Sequence, residues 1–302
     1  MKRIEIRHLS WLAAIPALFS GCGNSTLPVN TSALSSLSAL SLGLPRLARQ
    51  ALLYATSGDS QMLIYTYPRL KQRFDLSPGI EPGSECSDRY GDVFVATGDG
   101  LMEYQHGAVS PIATIGIESQ GCSVDPVTGK LAVVSGYGIL IFRYTKVGWH
   151  LPAVRTPPFR AMSCAYDDQG NLFVDGLVQS SPTLQLAELP MGSKTFASFD
   201  VNQQVHAAGS VQWDGAHIAV TDSKATPTII YRYSISGSSA TLVGKTKLKG
   251  GAEVGETWIY KGHVIAAVFS HNQGVSIWKY PAGGPAISTI PLEPAGGVTI
   301  SR

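Results

Sequence analysis

Apolar residues along this chain gather in short continuous runs rather than in a helical stripe. Six runs stand out: Leu53-Tyr54-Ala55-Thr56, Val93-Phe94-Val95-Ala96, Leu131-Ala132-Val133-Val134, Leu172-Phe173-Val174-Asp175, Ile218-Ala219-Val220-Thr221 and Val264-Ile265-Ala266-Ala267. A short apolar run bounded by turn residues predicts a strand buried on both faces. The first residues of successive runs lie 40, 38, 41, 46 and 46 positions apart, so the pattern is a repeat. Several runs follow an Asp-led turn, as in Asp125-Pro126-Val127-Thr128-Gly129 and Asp167-Asp168-Gln169-Gly170. There Asp accepts hydrogen bonds from the following amides and Gly supplies a positive φ. Several are followed by an alternating aromatic strand, as in Ile229-Ile230-Tyr231-Arg232-Tyr233 and Val275-Ser276-Ile277-Trp278. No stretch of 51–302 sustains a 3.6-residue period, which predicts almost no helix there.

The phrase Pro82-Gly83-Ser84-Glu85-Cys86-Ser87-Asp88-Arg89-Tyr90-Gly91-Asp92-Val93-Phe94-Val95-Ala96 resembles an NHL-type repeat. The resemblance, with the period, implies an all-β fold over 51–302: a six-bladed β-propeller of four-stranded blades, similar to NHL and gluconolactonase-like families. WD repeats fit less well, since no Trp-Asp closes the third strand. Gly296 to Ser301 matches the strand that precedes each apolar run, yet no run follows it, and Leu53 to Thr56 lacks such a partner. Pairing the two would complete the last blade and hide two sheet edges.

The N-terminus changes the address rather than the fold. Lys2, Arg3 and Arg7 precede an apolar stretch from Leu9 to Phe19, too short for the about 20 residues a membrane span needs. The stretch runs into Leu18-Phe19-Ser20-Gly21-Cys22, which resembles a bacterial lipobox. That resemblance implies a signal peptide over 1–21, a lipidated Cys22 and a Ser-rich tether over 22–50. It also implies a place on the cell envelope, lipid-anchored on the periplasmic or outer side. An ordinary cleaved signal with a coincidental cysteine is the alternative. Of 23 basic and 21 acidic residues, 1–21 hold three and one, so the remainder is charge-neutral. Neutrality removes the electrostatic case for nucleic acid or an anionic bilayer as partner. The membrane is then met only through the anchor. Charged residues are only 15% of the chain and hydrophobic ones 44%, enough to build a full core.

Candidate chemistry follows from the propeller resemblance. It places Glu81, Glu85, Gln120, Arg160, His206, Glu253 and Glu256 near the blade entries around a central channel. The loops after the apolar runs would bring Asp59, Asp99, Asp175, Asp222 and His271 to the same face. Four acids at matching loop positions suit a hard divalent cation such as Ca2+; the plainer reading is that Asp59 and Asp99, each beside Gly, simply make turns. A gluconolactonase-like metal-dependent lactonase or esterase would use Glu81, but no Asn stands at a matching later position to complete its metal set. Serine-hydrolase, zincin and Walker motifs are absent. Trp213, Trp258 and Trp278 sit at strand positions and read as core. These residues therefore favour a monomeric binding module for a protein, a glycan or a small molecule, with the lactonase as alternative.

Three cysteines follow Cys22, so at most one disulfide forms among them. Cys86, Cys122 and Cys164 open matching strands of successive blades, and Cys86–Cys122 or Cys122–Cys164 can form. The shared register of Cys122 and Cys164 before a four-residue turn favours Cys122–Cys164. Three buried thiols are the remaining possibility.

Overall fold

The computed structural model describes residues 50–302, apart from 59, 77–81, 99, 146–147, 179–180, 202–204, 270–273 and 293–294. Among these described residues every regular element is a strand and none is a helix. The chain opens with β1 (Leu52–Ser57), β2 (Gln61–Thr66) and β3 (Gln72–Leu76), paired in that order. A second sheet follows: β4 (Pro82–Ser87), β5 (Val93–Thr97), β6 (Gly100–Tyr104) and β7 (Ala113–Ile115). The third uses β8 (Gly121–Val124), β9 (Leu131–Ser135) and β10 (Gly138–Phe142). After a small hairpin of β11 (Tyr144–Thr145) and β12 (Gly148–Trp149), it ends with β13 (Ala153–Arg155).

Two further antiparallel runs follow. One is β14 (Arg160–Tyr166), β15 (Leu172–Val178), β16 (Ser181–Leu189) and β17 (Ala197–Val201). The other is β18 (Ala208–Trp213), β19 (Ile218–Asp222), β20 (Thr228–Ser236) and β21 (Ser239–Lys249). The last sheet holds β22 (Val254–Tyr260), β23 (His263–Val268), β24 (Val275–Lys279) and β26 (Ser288–Ile290), while the short β25 (Gly284–Pro285) pairs with β21. The final strand, β27 (Ala295–Ser301), returns to β1, with Leu53 opposite Ile300 and Ala55 opposite Val298. This is the pairing that the unmatched end strands predict.

The six apolar runs lie in β1, β5, β9, β15, β19 and β23, where nearly every residue is buried on both faces. One departure from the expected six separate sheets appears. Four sheets of four strands stand alone, but the β14–β17 and β18–β21 runs are joined into one nine-stranded sheet. The link is a parallel pairing of Asp200 and Val201 with Ser239 and Ala240. Its cause is length: the β20–β21 hairpin is long enough for its tip to reach the unpaired outer edge of β17, and an open edge accepts a new strand readily.

The core is divided among the faces between successive sheets. Tyr54, Met62 and Ile64 meet Val93, Val95 and Tyr104 at the first seam, and Ile265, Val275 and Ile277 meet Leu53, Leu63 and Ile300 at the last. The leading strands are also neighbours. β27 packs beside β4, β4 beside β8, β8 beside β14, β14 beside β18, β18 beside β22, and β22 beside β27. The Asp-led turns form as expected: Asp88, Asp125, Asp167 and Asp214 each accept an amide two residues on, at 2.8 to 3.0 Å. Gly91 closes one of them at φ 93°, where any Cβ would sit 2.6 Å from the Arg302 carbonyl oxygen.

The disulfide differs from the expectation. Cys86 bonds to Cys122, tying β4 to β8, and Cys164 is a free, buried thiol rather than the partner of Cys122. Shared register did not decide the pairing. Cys86 and Cys122 face the same seam, packing with Phe94 and Leu131, whereas Cys164 belongs to the next seam with Ala132 and Val174.

Candidate functional site

The leading strands carry irregularities where they begin. Register shifts occur near the starts of β4, β14, β18 and β22. A bulge frees backbone amides from the ladder, and a buried amide must find another acceptor. Acidic and hydroxyl side chains supply it. Asp175 Oδ1 accepts the Ser163 amide and hydroxyl, both at 2.9 Å. Asp222 accepts the amides of His206 and Ala207, and its Oδ2 lies 2.9 Å from His206 Nδ1. Thr56 Oγ1 accepts the Gly297 amide and donates to the Gly83 carbonyl.

Glu256 joins three strands. It stands on β22, takes the Ser84 hydroxyl on one oxygen, and receives the amides of Glu85 (2.8 Å) and Val298 (2.9 Å) on the other. Gly297 makes room for this, since a Cβ there would fall 2.8 Å from Glu256 Oε2. Burial pushes the Glu256 carboxyl up to about 7 and that of Asp175 up to about 6. Glu85 is wholly buried, and neither of its oxygens makes a hydrogen bond of normal geometry. Burial first, and the Glu256 charge second, raise its carboxyl well above the usual glutamate range.

These strand starts surround a cavity of about 800 Å3. All six leading strands or the residues entering them contribute: Ala295 and Gly296, Gly83 and Ser84, Gln120, Arg160, Met162 and Ser163, Ala208 to Ser210, and Glu253 to Glu256. Gly58, Ser223, Lys224 and Phe269 join from the loops after β1, β19 and β23. A smaller cavity of about 300 Å3 lies at the opposite strand ends, where the half-buried Trp213 and Trp258 line it; only Trp278 is wholly core.

The expected site residues therefore divide. Gln120, Arg160, Glu253 and Glu256 line the large cavity, and His206 is held by Asp222 close to its Ala208 wall. Glu85, Asp175 and Asp222 do not serve as expected: all three are buried and none lines the cavity. Glu85 and Asp175 lie within β4 and β15 and Asp222 ends β19, so Asp175 and Asp222 turn to amides at or just before the starts of β14 and β18. Cys22, Asp59, Glu81, Asp99 and His271 lie outside the described residues. A cation fits this arrangement poorly, because Glu256 and Asp222 already accept protein donors and Glu85 and Asp175 are buried away from the cavity. Among the described residues no group of three or more His, Cys, Asp or Glu is placed to hold a metal. Ser84, Ser163, Lys224 and Phe269 were not singled out from the sequence. Lys224 and Phe269 are two residues from the loop positions chosen, Asp222 and His271.

No protein-family model and no curated protein sequence matches the chain. Solved structures do. A chain of the crystal structure of the nidogen/laminin complex superposes with a TM-score of 0.66 at 10% identity, over 83% of this chain and 98% of that one. A protein of unknown function from Bacteroides caccae gives 0.64 at 12% identity, over 84% and 99%. One from Desulfotomaculum acetoxidans gives 0.59 at 9%, over 84% and 99%. The chain is a β-propeller. At such identities the likeness carries the fold and nothing finer, so the propeller's site must be read from its own residues.

Proposed function

We propose that this propeller is a six-bladed binding module of the bacterial cell envelope, monomeric and tethered through a lipidated Cys22. The count of six treats the joined sheet as two blades, and the unbroken succession of neighbouring leading strands, returning from β22 to β27 and β4, supports a closed ring. The ligand enters the 800 Å3 mouth. One observation carries this reading: the mouth sets Arg160, Lys224 and Glu253 and the hydroxyls of Ser210 and Ser223 beside the half-exposed ring of Phe269. Donors and acceptors of both signs beside an apolar face suit a hydroxyl-rich ligand, the end of a glycan chain. The NHL and gluconolactonase-like resemblance agrees with the architecture but lends no metal chemistry to these residues. Melting curves recorded with a panel of oligosaccharides test the proposal. A subset of sugars should raise the melting temperature, and the shift should vanish in Arg160→Ala and Phe269→Ala proteins. A panel without any shift, or shifts that survive both substitutions, would sink it.

A further inference from the structure

A second recess, of about 550 Å3, lies away from the mouth, between the third sheet and the β14–β17 run. Lys130, Arg143, Arg155 and Lys194 line it, with His150 beside them. The carboxylate among its lining residues is Asp125, and that group is already engaged: one oxygen accepts the Val127 amide at 2.8 Å and the other the Thr128 hydroxyl. None of the four cations takes part in an ion pair among the described residues. Among the described residues Arg155 Nε, shielded from water, has no acceptor, while its Nη1 donates to the Val154 carbonyl at 2.9 Å.

This is unusual for the chain. Only 15% of its residues are charged and the two signs nearly balance, yet four cations without an ion-pair partner share one concavity against the single charge of Asp125, an excess of positive charge at one place. An anion placed among them would offset that excess of positive charge. The planar guanidinium groups of Arg143 and Arg155 match the oxygens of a phosphate or carboxylate. The recess has an apolar side as well. Ile141, Leu172 and Leu189 form its walls, and Leu151 and Met191 are 96% and 56% exposed. Leu151 and Met191 together give the rim of the cationic recess an exposed apolar surface that an apolar group can cover.

We infer that this recess binds an amphiphilic anion: a phosphate or carboxylate head among Arg143, Arg155, Lys130 and Lys194, and an apolar body across Leu151 and Met191. The site is separate from the channel mouth and does not rest on the reading given for it. Two sources present this chemistry, an anionic lipid in a bilayer and a soluble alkyl anion.

The test uses the full chain carrying Cys22→Ala, so that it has no acyl group of its own. Dodecyl phosphate, titrated calorimetrically, should bind saturably at one site. Its affinity should fall about ten-fold or more in the Arg143→Ala/Arg155→Ala protein, and also on raising salt to about 0.5 M. Leu151→Glu should weaken binding comparably while leaving the melting temperature unchanged, because that side chain packs against nothing. Arg160→Ala, at the channel mouth, should bind as the parent does. Sedimentation with phosphatidylglycerol vesicles, but not phosphatidylcholine ones, assigns the bilayer as source; dodecyl phosphate binding without vesicle binding assigns a soluble amphiphile. The inference is overturned by no saturable binding of dodecyl phosphate, or by binding that neither the double substitution nor Leu151→Glu weakens.

Discussion

Glu256 and Glu85 are neighbours with opposite circumstances. Glu256 accepts three donors from two other strands, so Glu256→Ala strands two amides and should cost about 2–4 kcal/mol in urea denaturation. Glu85 is buried with no normal hydrogen bond, so its charged form is the costly one. A carboxyl whose folded pKa is raised binds its proton more tightly in the folded chain than in the unfolded one. Its stabilising contribution is complete below the ordinary value of 4.5 and is lost as pH rises through the folded value. Glu256 and Asp175 act in the same direction, up to about 7 and about 6. The propeller should therefore be more stable near pH 4.5 than near pH 8 as far as these groups decide. Glu85→Gln should narrow the difference, gaining roughly 1–3 kcal/mol at pH 8 and little at pH 4.5. An unchanged pH profile in that variant would show that the buried carboxyl is not the source.

Elements differ in how openly the chain declares them. The six apolar runs were legible because a strand covered on both faces needs a continuous apolar sequence, and these runs recur at a regular spacing. The Asp-led turns were legible for a local reason, since the side chain bonds to its own next amides. The bulges were not. Whether Asp175 points to a loop or to the Ser163 amide depends on one extra residue in a neighbouring strand, which leaves no local mark. The cysteines failed in the same way: the register of Cys122 and Cys164 matched, but the seam each faces is set by the pleat of strands around it. The bond between β4 and β8 has a consequence for peptide mapping. Without reductant, a Cys86–Cys122 peptide should appear, and Cys164 should react with alkylating reagents only after unfolding, since burial also pushes its thiol pKa up. Replacing both bonded cysteines by Ala should cost about 2–4 kcal/mol. A Cys122–Cys164 peptide would refute the pairing.

For the molecule as a whole, the join between first and last strands matters most. Seams run between successive sheets, so each sheet depends on its neighbours, and removing β27 strips β1 of one of its two strand partners and Glu256 of the Val298 amide. Deleting 295–302 should lower the melting temperature of the whole domain in a single calorimetric transition; a truncated protein that melts like the parent would defeat the proposed closed ring. Lysines 245, 247 and 249 stand exposed along β21, where repeated positive charge discourages another chain from adding to the sheet. β1 has no such guard. Its missing neighbour includes Gly297, which bonds to Thr56 from 241 residues further along, and a ribosome adding about 5–20 residues per second needs roughly 10–50 s to cover that distance. For that interval every newly made copy carries a bare, apolar strand edge, so crowded polysomes are the place where this protein is most exposed to self-association, and a chaperone that shields β1 would matter more during synthesis than at any later time.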